Sequence, residues 1–396
     1  MISANATKPF IAIACGGTGG HLFPGLAVAE QLQARGCDVA LLISPKEIDQ
    51  QAVKSARGME VFTLPAVGLQ NRNYFSFAKN FIQSWIAAWK IFKARRPDAV
   101  LAMGGFTSAP PVLAARKFGA KTFLHDSNTI PGKSNRFLAR FVDEAFVGFP
   151  EASSRLRAKK ISVTGTPVRP QFSPSRLTAH ASRSALGLDP NLPTILVVGG
   201  SQGARGLNDL ILSALASAPH VSLLTRHVQF LHLTGAADFE KVTAAYAKLA
   251  LKAVVKPFLA EMELALGAAT ACVSRSGASS LAEMAAMRLQ SALVPLPTSA
   301  DNHQFFNASA FEKTGAAILL DQKNSSPEKF AEVLAQLVSD EAMRSKMQTA
   351  LAQWHAPNAA EVIAENILKA VRWSADSLSA RSPENLNART SRPRLV

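Results

Sequence analysis

Residues 11–32 read "IAIACGGTGGHLFPGLAVAEQL". A short apolar run of strand type meets four glycines packed into GGTGG, then a histidine, then apolar residues at helical spacing. Glycines at such a corner let the backbone turn sharply and let a ligand approach its amides. The helix that follows adds unpaired N–H groups and a partial positive charge, which suits a phosphate. No Gly-Lys-Ser/Thr follows, so this is not a P-loop. GxGxxG is absent and no acidic residue stands well placed near the end of the next strand, so it is not a dinucleotide fingerprint either.

The same pattern recurs along the chain. "DAVLAMGG" precedes "APPVLAARKFG", "TILVVGG" precedes "ARGLNDLILSALAS", and "ATACVSRSG" precedes "ASSLAEMAAM". Strand, glycine turn and helix in repetition predict parallel βαβ units, with ligands at the carboxyl ends of the strands. "IAIACGGTGGH" and "ILVVGGSQGAR" match each other half a chain apart. The expected fold is therefore α/β, with two similar doubly wound domains facing one another across a cleft. The first spans residues 1–166. A Pro-, Ser- and Arg-rich linker covers 167–190, and the second domain covers 191–373, its last helix expected to return to the first. Residues 374–396 are polar, basic and unpatterned, as in a disordered tail.

Composition supports two domains. The chain has 396 residues, 48% hydrophobic and 18% charged, as in a globular protein rather than a disordered one. Cys15, Cys37 and Cys272 are scattered, which argues against a disulfide framework or a structural zinc site. The opening "MISANATKPF" has no basic region followed by an apolar run, and no apolar stretch reaches the roughly 18–20 residues needed to span a bilayer. A soluble, cytoplasmic chain is expected. The net charge of +15 is uneven: residues 1–165 hold 21 Lys and Arg against 10 Asp and Glu, the rest 22 against 18. A basic first half points to an anionic partner.

Several side chains stand out as candidates for chemistry. His21, at the first turn of a helix, should have its pKa pushed down by the dipole, leaving a neutral ring able to take a proton. A structural histidine is the alternative. In "SRSGASSLAEMAAM", Ser276 to Ser280 form a polar corner, and Glu283 is suited to accept from the hydroxyls of a ribose; by itself it also fits a surface or capping role. "PTSADNHQFFNA" groups Asp301, Asn302, His303 and Gln304 ahead of a helix, a mixture of donors and acceptors that suits a sugar. No Asp-x-Asp occurs, which removes the usual carboxylate pair of a metal–diphosphate site. Amides, helix ends and cations such as Arg169 would then meet the charge of a leaving diphosphate, with no metal and no cofactor.

One further stretch is "NYFSFAKNFIQSWIAAWKIFKARRP", residues 73–97. Phe77, Phe81, Trp85, Ala88 and Phe92 recur at helical spacing, with Lys90, Lys93, Arg95 and Arg96 crowding its end. It reads as a core-facing amphipathic helix, or as one whose aromatic surface enters a lipid interface beside anionic headgroups; the two readings are compatible.

Seven motifs in order, "GGTGGHLFPGLAVAEQL", "MGGFTSAP", "HDSN", "GTPVRP", "GGSQGARGLN", "RSGASSLAE" and "DNHQFFNA", resemble the MurG family over roughly residues 10–370. These are the N-acetylglucosaminyltransferases that convert lipid I to lipid II in peptidoglycan synthesis. The resemblance implies a GT-B fold, with the acceptor in the N-terminal domain and UDP-GlcNAc mainly in the C-terminal one. It also implies metal-independent, inverting transfer to the muramyl 4-hydroxyl. Thr18, Gly19 and Gly20 would line the diphosphate region, with Asn128 and Arg169 nearby and Ser201 in the second glycine corner. The backbone of Leu259 would contact uracil. Ala278, Ser279, Ser280, Leu281, Ala282 and Glu283 would form the nucleotide loop, and Gln304, with His303 beside it, the sugar contact. The implied partners are UDP-GlcNAc, lipid I, an anionic membrane surface and other cell-wall synthesis proteins, with the chain peripheral on the cytoplasmic face of the inner membrane.

The sequence departs from the family pattern in three places. "HDSN" stands where His-Glu-Gln-Asn is usual, so Asp126 is one methylene shorter than the expected glutamate. His303 replaces a glutamine of some members, and "GGFTSAP" replaces a tyrosine-containing form. His21 is the expected base, with Asp126 as its rival. Two other functions compete: a transferase of the same fold acting on diacylglycerol, and a nucleic-acid-binding protein. The latter would explain the charge but not the paired glycine corners, and no aromatic–basic RNA motif is present.

Overall fold

The computed structural model describes residues 8–379 except Thr18, 47–48, 51–52, 54–55, Arg57, 66–73, Leu177, 201–202 and 218–226, with Tyr74 and 372–379 as backbone alone. Two sheets organise the chain. The first contains β1 (Phe10–Ala14), β2 (Asp38–Ile43), β3 (Glu60–Thr63), β4 (Ala99–Ala102), β5 (Lys121–Asp126), β6 (Glu144–Val147) and β7 (Ile161–Val163), in the order β3-β2-β1-β4-β5-β6-β7. The second contains β8 (Thr194–Val198), β9 (Gln229–Leu233), β10 (Ala253–Lys256), β11 (Ala271–Ser274), β12 (Ser291–Leu293) and β13 (Ile318–Leu319), in the order β10-β9-β8-β11-β12-β13. Every pairing is parallel, as Ile11 opposite Val39 and Ile195 opposite Phe230 illustrate.

Six strands follow the same order in both sheets, β7 being added at the edge of the first, and the order reverses beside β1 and beside β8. In such sheets the switch point is where ligands bind. The glycine corners after β1 and β8 open at these switch points, and the corners after β4 and β11 flank them. The sequence-level α/β reading holds.

Helices cover both faces. They are α1 (Gly19–Ala34), α2 (Tyr74–Ala94), α3 (Ala109–Lys117), α4 (Lys133–Leu138), α5 (Ala179–Ala185), α6 (Arg205–Ser217), α7 (Phe239–Lys248), α8 (Met262–Ala268), α9 (Ala278–Ala286), α10 (His303–Lys313), α11 (Pro327–Ser339), α12 (Glu341–Trp354) and α13 (Ala359–Ser379). Alternate strand residues point to opposite faces. Ile11, Ile13, Val39 and Leu41 therefore pack under α1, while Ala12, Ala14, Leu42 and Val100 pack under α2 and α3. In the second domain α8, α9 and α12 cover one face and α6, α7 and α11 the other.

Two features tie the domains together. α13 crosses back to the first domain, where Ala360, Ile363, Ala364, Ile367, Leu368 and Val371 complete the cluster around α1. Phe149, just after β6, enters the second domain's core and meets Trp354 with ring centroids 5.2 Å apart. Within 167–190 the chain forms α5, whose N-cap Thr178 accepts from the Ala181 amide, and contributes Leu186 and Leu188 to that same core.

The face of α2 is decided by its stripe. Ala88 and Phe92 are buried, and Phe81 and Trp85 pack against the same cluster. What α2 turns outward is a different set: Phe75 at 85% exposure, Ile82 at 56% and Ile86 at 42%, beside exposed Lys79, Lys90 and Lys93. Arg95, grouped with the headgroup cations at the sequence level, is otherwise engaged. It forms ion pairs with Asp38 and Glu60 and lies over the Phe10 ring, 4.1 Å from its centroid.

Candidate active site

The first glycine corner is pinned from two sides. Gly17 donates its amide to Asp49 Oδ2 at 2.7 Å, an oxygen that also receives the Ser44 amide at 3.2 Å and the Ser44 hydroxyl. Lys46 Nζ donates to the Gly17 carbonyl at 2.7 Å, and Thr107 Oγ1 to the Gly16 carbonyl at 2.6 Å. Asp49 is fully buried. It is the acidic residue beyond β2 that sequence reading did not find, and it holds the loop itself rather than a ribose.

His21 follows in the first turn of α1. Its ring lies against the backbone of Gly104 and Gly105, the corner after β4. A Cβ on Gly104 would stand 2.9 Å from His21 Cε1 and 3.0 Å from Asn135 Nδ2, and the Gly104 φ is +114°. Both facts demand glycine there. Burial lowers the His21 pKa, against the Asp126 charge and a hydrogen bond to the Met103 carbonyl, which raise it. The sequence argument attributed the lowering to the helix terminus, whereas burial is the first cause.

Asp126 ends β5, buried, with both oxygens occupied. Oδ1 accepts from the Asn128 amide at 2.9 Å and from Asn128 Nδ2 at 3.4 Å. Oδ2 accepts from the Gly132 amide at 3.1 Å and from Asn135 Nδ2 at 2.7 Å. The carboxylate thus organises the loop that leads into α4.

The second domain meets this loop through Asn307 of α10, a residue not singled out from sequence. Its Oδ1 accepts from the Thr129 amide at 3.0 Å and the Thr129 hydroxyl at 2.9 Å. Its Nδ2 donates to Asn128 Oδ1 and to the Ser276 carbonyl, both at 3.1 Å. All four hydrogen-bonding positions of this fully buried amide are filled, three of them across the domain boundary. The available signal was an amide at an inward spacing with Ala308 and Phe311. At the start of the same segment, Arg136 and Lys133 pair with Asp301. Asp301 and Asn302 are both left-handed, at φ +50° and +54°.

Ser276 Oγ donates to the Gln304 carbonyl at 2.7 Å, and Gln304 Oε1 accepts from the Leu296 amide at 2.9 Å. His303 Nδ1 bonds the Ala300 carbonyl at 2.7 Å. Leu259 is buried in the core below, with Ala278 and Leu281 of α9; Ser280 and Ala282 are half-buried on that helix. Burial pushes the Glu283 carboxyl up to about 7, opposed by the Arg169 charge. Arg169 itself lies over the Phe23 ring of α1, 4.4 Å from the centroid, and over Phe172 at 5.4 Å. Its Nε is buried with no hydrogen-bond partner. Ser279, second residue of α9, donates its hydroxyl to the Gly20 carbonyl of α1 at 3.0 Å. The first turns of two helices, one from each domain, therefore touch beside His21, and helix N-termini suit a phosphate. Thr18 and Ser201 lie outside the described residues.

α1 also carries a proline inside it, Pro24. In a helix interior that residue costs about 3 kcal/mol relative to alanine.

Two doubly wound domains, with α9 of the second touching α1 of the first, have the GT-B architecture. The N-terminal domain model of glycosyltransferase family 28 matches residues 11–147 and its C-terminal domain model residues 194–365, and the chain belongs to this family. One relative, from Anaeromyxobacter sp. (strain K), is 33% identical over 95% of this chain and 97% of its own. Another, from Xanthomonas axonopodis pv. citri (strain 306), is 37% identical over 93% of this chain and 86% of its own. Both are named UDP-N-acetylglucosamine–N-acetylmuramyl-(pentapeptide) pyrophosphoryl-undecaprenol N-acetylglucosamine transferase. The crystal structure of MurG from Acinetobacter baumannii superposes with a TM-score of 0.69 at 27% identity, covering 91% of this chain and 99% of that one.

Proposed function

We propose that the chain transfers N-acetylglucosamine from UDP-GlcNAc to the muramyl 4-hydroxyl of undecaprenyl-pyrophosphoryl-N-acetylmuramyl pentapeptide. The contact between the first turns of α1 and α9, Ser279 Oγ on the Gly20 carbonyl, is the observation that carries this reading at the site. It brings two positive helix ends and the Arg169 guanidinium to one point, where a departing UDP gathers negative charge. The names of the relatives favour the muramyl acceptor over diacylglycerol.

In this mechanism the acceptor domain is the first one and the donor domain the second. The attacking hydroxyl lies at His21, whose ring is kept neutral by burial and is ready to take the proton as the C1–O bond to UDP breaks on the opposite side. Asp126 already accepts from four donors of its own loop. Its part is to hold the Asn128 loop and to stabilise the imidazolium once formed. Glu283 accepts from the ribose hydroxyls, and Gln304, steadied by the Leu296 amide, meets the sugar.

Meeting a polyprenyl-anchored acceptor requires a membrane surface. Among the described residues no helix is long and apolar enough to cross a bilayer. The outward side of α2, with Phe75, Ile82 and Ile86 between Lys79, Lys90 and Lys93, supports peripheral binding to an anionic leaflet, on the cytoplasmic face where UDP-GlcNAc is found.

His21→Asn tests the base. It keeps a hydrogen-bonding side chain and loses the proton acceptor, so kcat should fall about 10²–10⁴-fold with little change in donor affinity. An asparagine variant with near-normal turnover, alongside an inactive but folded Asp126→Asn, would transfer the role to Asp126.

A further inference from the structure

Pro24 stands six residues into α1 and brings no amide hydrogen. In an unbroken helix the residue at this position donates to the carbonyl four residues earlier, that of Gly20. That carbonyl instead accepts the Ser279 hydroxyl of the other domain at 3.0 Å. Gly20 immediately precedes His21, and Ser279 lies four residues before Glu283. We propose that Pro24 is a positioning residue for the transfer reaction: by withholding its amide it leaves the Gly20 carbonyl as the acceptor on which the donor-domain helix α9 docks. The inference rests on the reading of these two helix ends as the diphosphate cleft.

The geometry explains why a proline is placed where helix propensity opposes it. Every other residue type at position 24 supplies an N–H directed along the helix axis at the Gly20 oxygen. An intrahelical bond there forms without loss of domain freedom and competes directly with Ser279. Pro24 is buried beneath the turn that carries the contact, and its neighbour Gly25 passes so close to Cys15, the residue after β1, that a Cβ would stand 2.7 Å from Cys15 Cβ. α1 is therefore held firmly on the first sheet, and a partner docked on Gly20 is registered against that sheet and against His21. Arg169, stacked on Phe23 in the same turn, shares this registration.

Pro24→Val, which retains most of the ring's volume, and Pro24→Ala both restore the amide. Each should melt no lower than about the wild type, bind UDP-GlcNAc without acceptor within about twofold of it, and lose roughly three- to tenfold in kcat, the loss expected for one neutral hydrogen bond. Adding Pro24→Val to a Ser279→Ala chain should lower kcat no further, because the two changes break one contact. Amide exchange over residues 277–282 should quicken in Pro24→Val, a readout independent of which sugar moves. Wild-type kcat in both Pro24 variants, losses that multiply in the double variant, or unchanged exchange at 277–282 would each overturn the proposal. A wild-type chain that fails to transfer N-acetylglucosamine would instead overturn the assigned reaction, and leave the exchange result to judge the contact.

Discussion

Donor binding should be linked to one proton through Glu283. In the free protein its carboxyl sits at about 7, lifted by burial and held from rising further by Arg169. Only the carboxylate accepts well from two ribose hydroxyls, so the donor binds the ionised form. With that value, about a tenth of the molecules are ionised at pH 6 and about nine-tenths at pH 8, so the dissociation constant for UDP-GlcNAc should fall about tenfold across this range. Near pH 7 roughly half a proton should leave per donor bound. Titration calorimetry in phosphate and in Tris, whose ionisation enthalpies differ, reads both quantities. Glu283→Gln should bind about ten- to a hundredfold more weakly at pH 8 and should show no slope. Stability runs the other way. A carboxyl raised in the folded state contributes stability below its unfolded pKa and loses it as pH rises through about 7, so the wild type minus Glu283→Gln difference in melting temperature should shrink from pH 5 to pH 8 without donor. A flat affinity from pH 6 to pH 8, with no buffer-dependent enthalpy, would remove Glu283 from the ribose.

Gly104→Ala should strike catalysis through His21 rather than through the substrates. A Cβ placed 2.9 Å from Cε1 on a residue at φ +114° must displace the ring, so kcat should drop at least tenfold with donor affinity intact, and unchanged pH–rate profiles would refute the packing argument. Replacing Lys79, Lys90 and Lys93 with glutamine should weaken binding to vesicles containing anionic lipid by about 1 kcal/mol per charge, while Arg95→Gln should slightly lower the melting temperature instead, since its partners are Asp38, Glu60 and the Phe10 ring of its own domain. Sedimentation with the vesicles separates the two; equal vesicle binding by the triple variant would return α2 to a purely structural role.

The architecture was legible because strands, glycine corners and helix starts are written over a few consecutive residues. Both corners and their repetition could be seen at "GGTGGH" and "GGSQGA", and the four strand–helix junctions fell where the sheets turn. What binds the corners together was not legible, since its partners are distant in the chain. Asp49 lies 32 residues from Gly17 and Asn307 lies 178 from Thr129; nothing local distinguishes Asp49 from a surface carboxylate, and the inward spacing of Asn307 with Ala308 and Phe311 marks burial without naming its partners. Asp126 shows the same limit from the other side. A carboxylate beside His21 invites a chemical role, and only its four donors reveal that it organises a loop. On α2 the periodicity identified an inward stripe, but with aromatic residues on both sides it did not identify the outward one.

The return of α13 has a consequence for how the protein is made. The apolar surface of α1 is closed only when Ile363, Ile367 and Leu368 arrive, and these are synthesised more than three hundred residues after the strand they help cover. The first domain therefore emerges from the ribosome with an uncovered seam and waits, through synthesis of the whole second domain, for its final piece. A chain truncated before Ala359 should behave as an aggregation-prone half-product rather than as two tidy modules, and a peptide bearing the α13 sequence, supplied in trans, is the natural means of rescuing it.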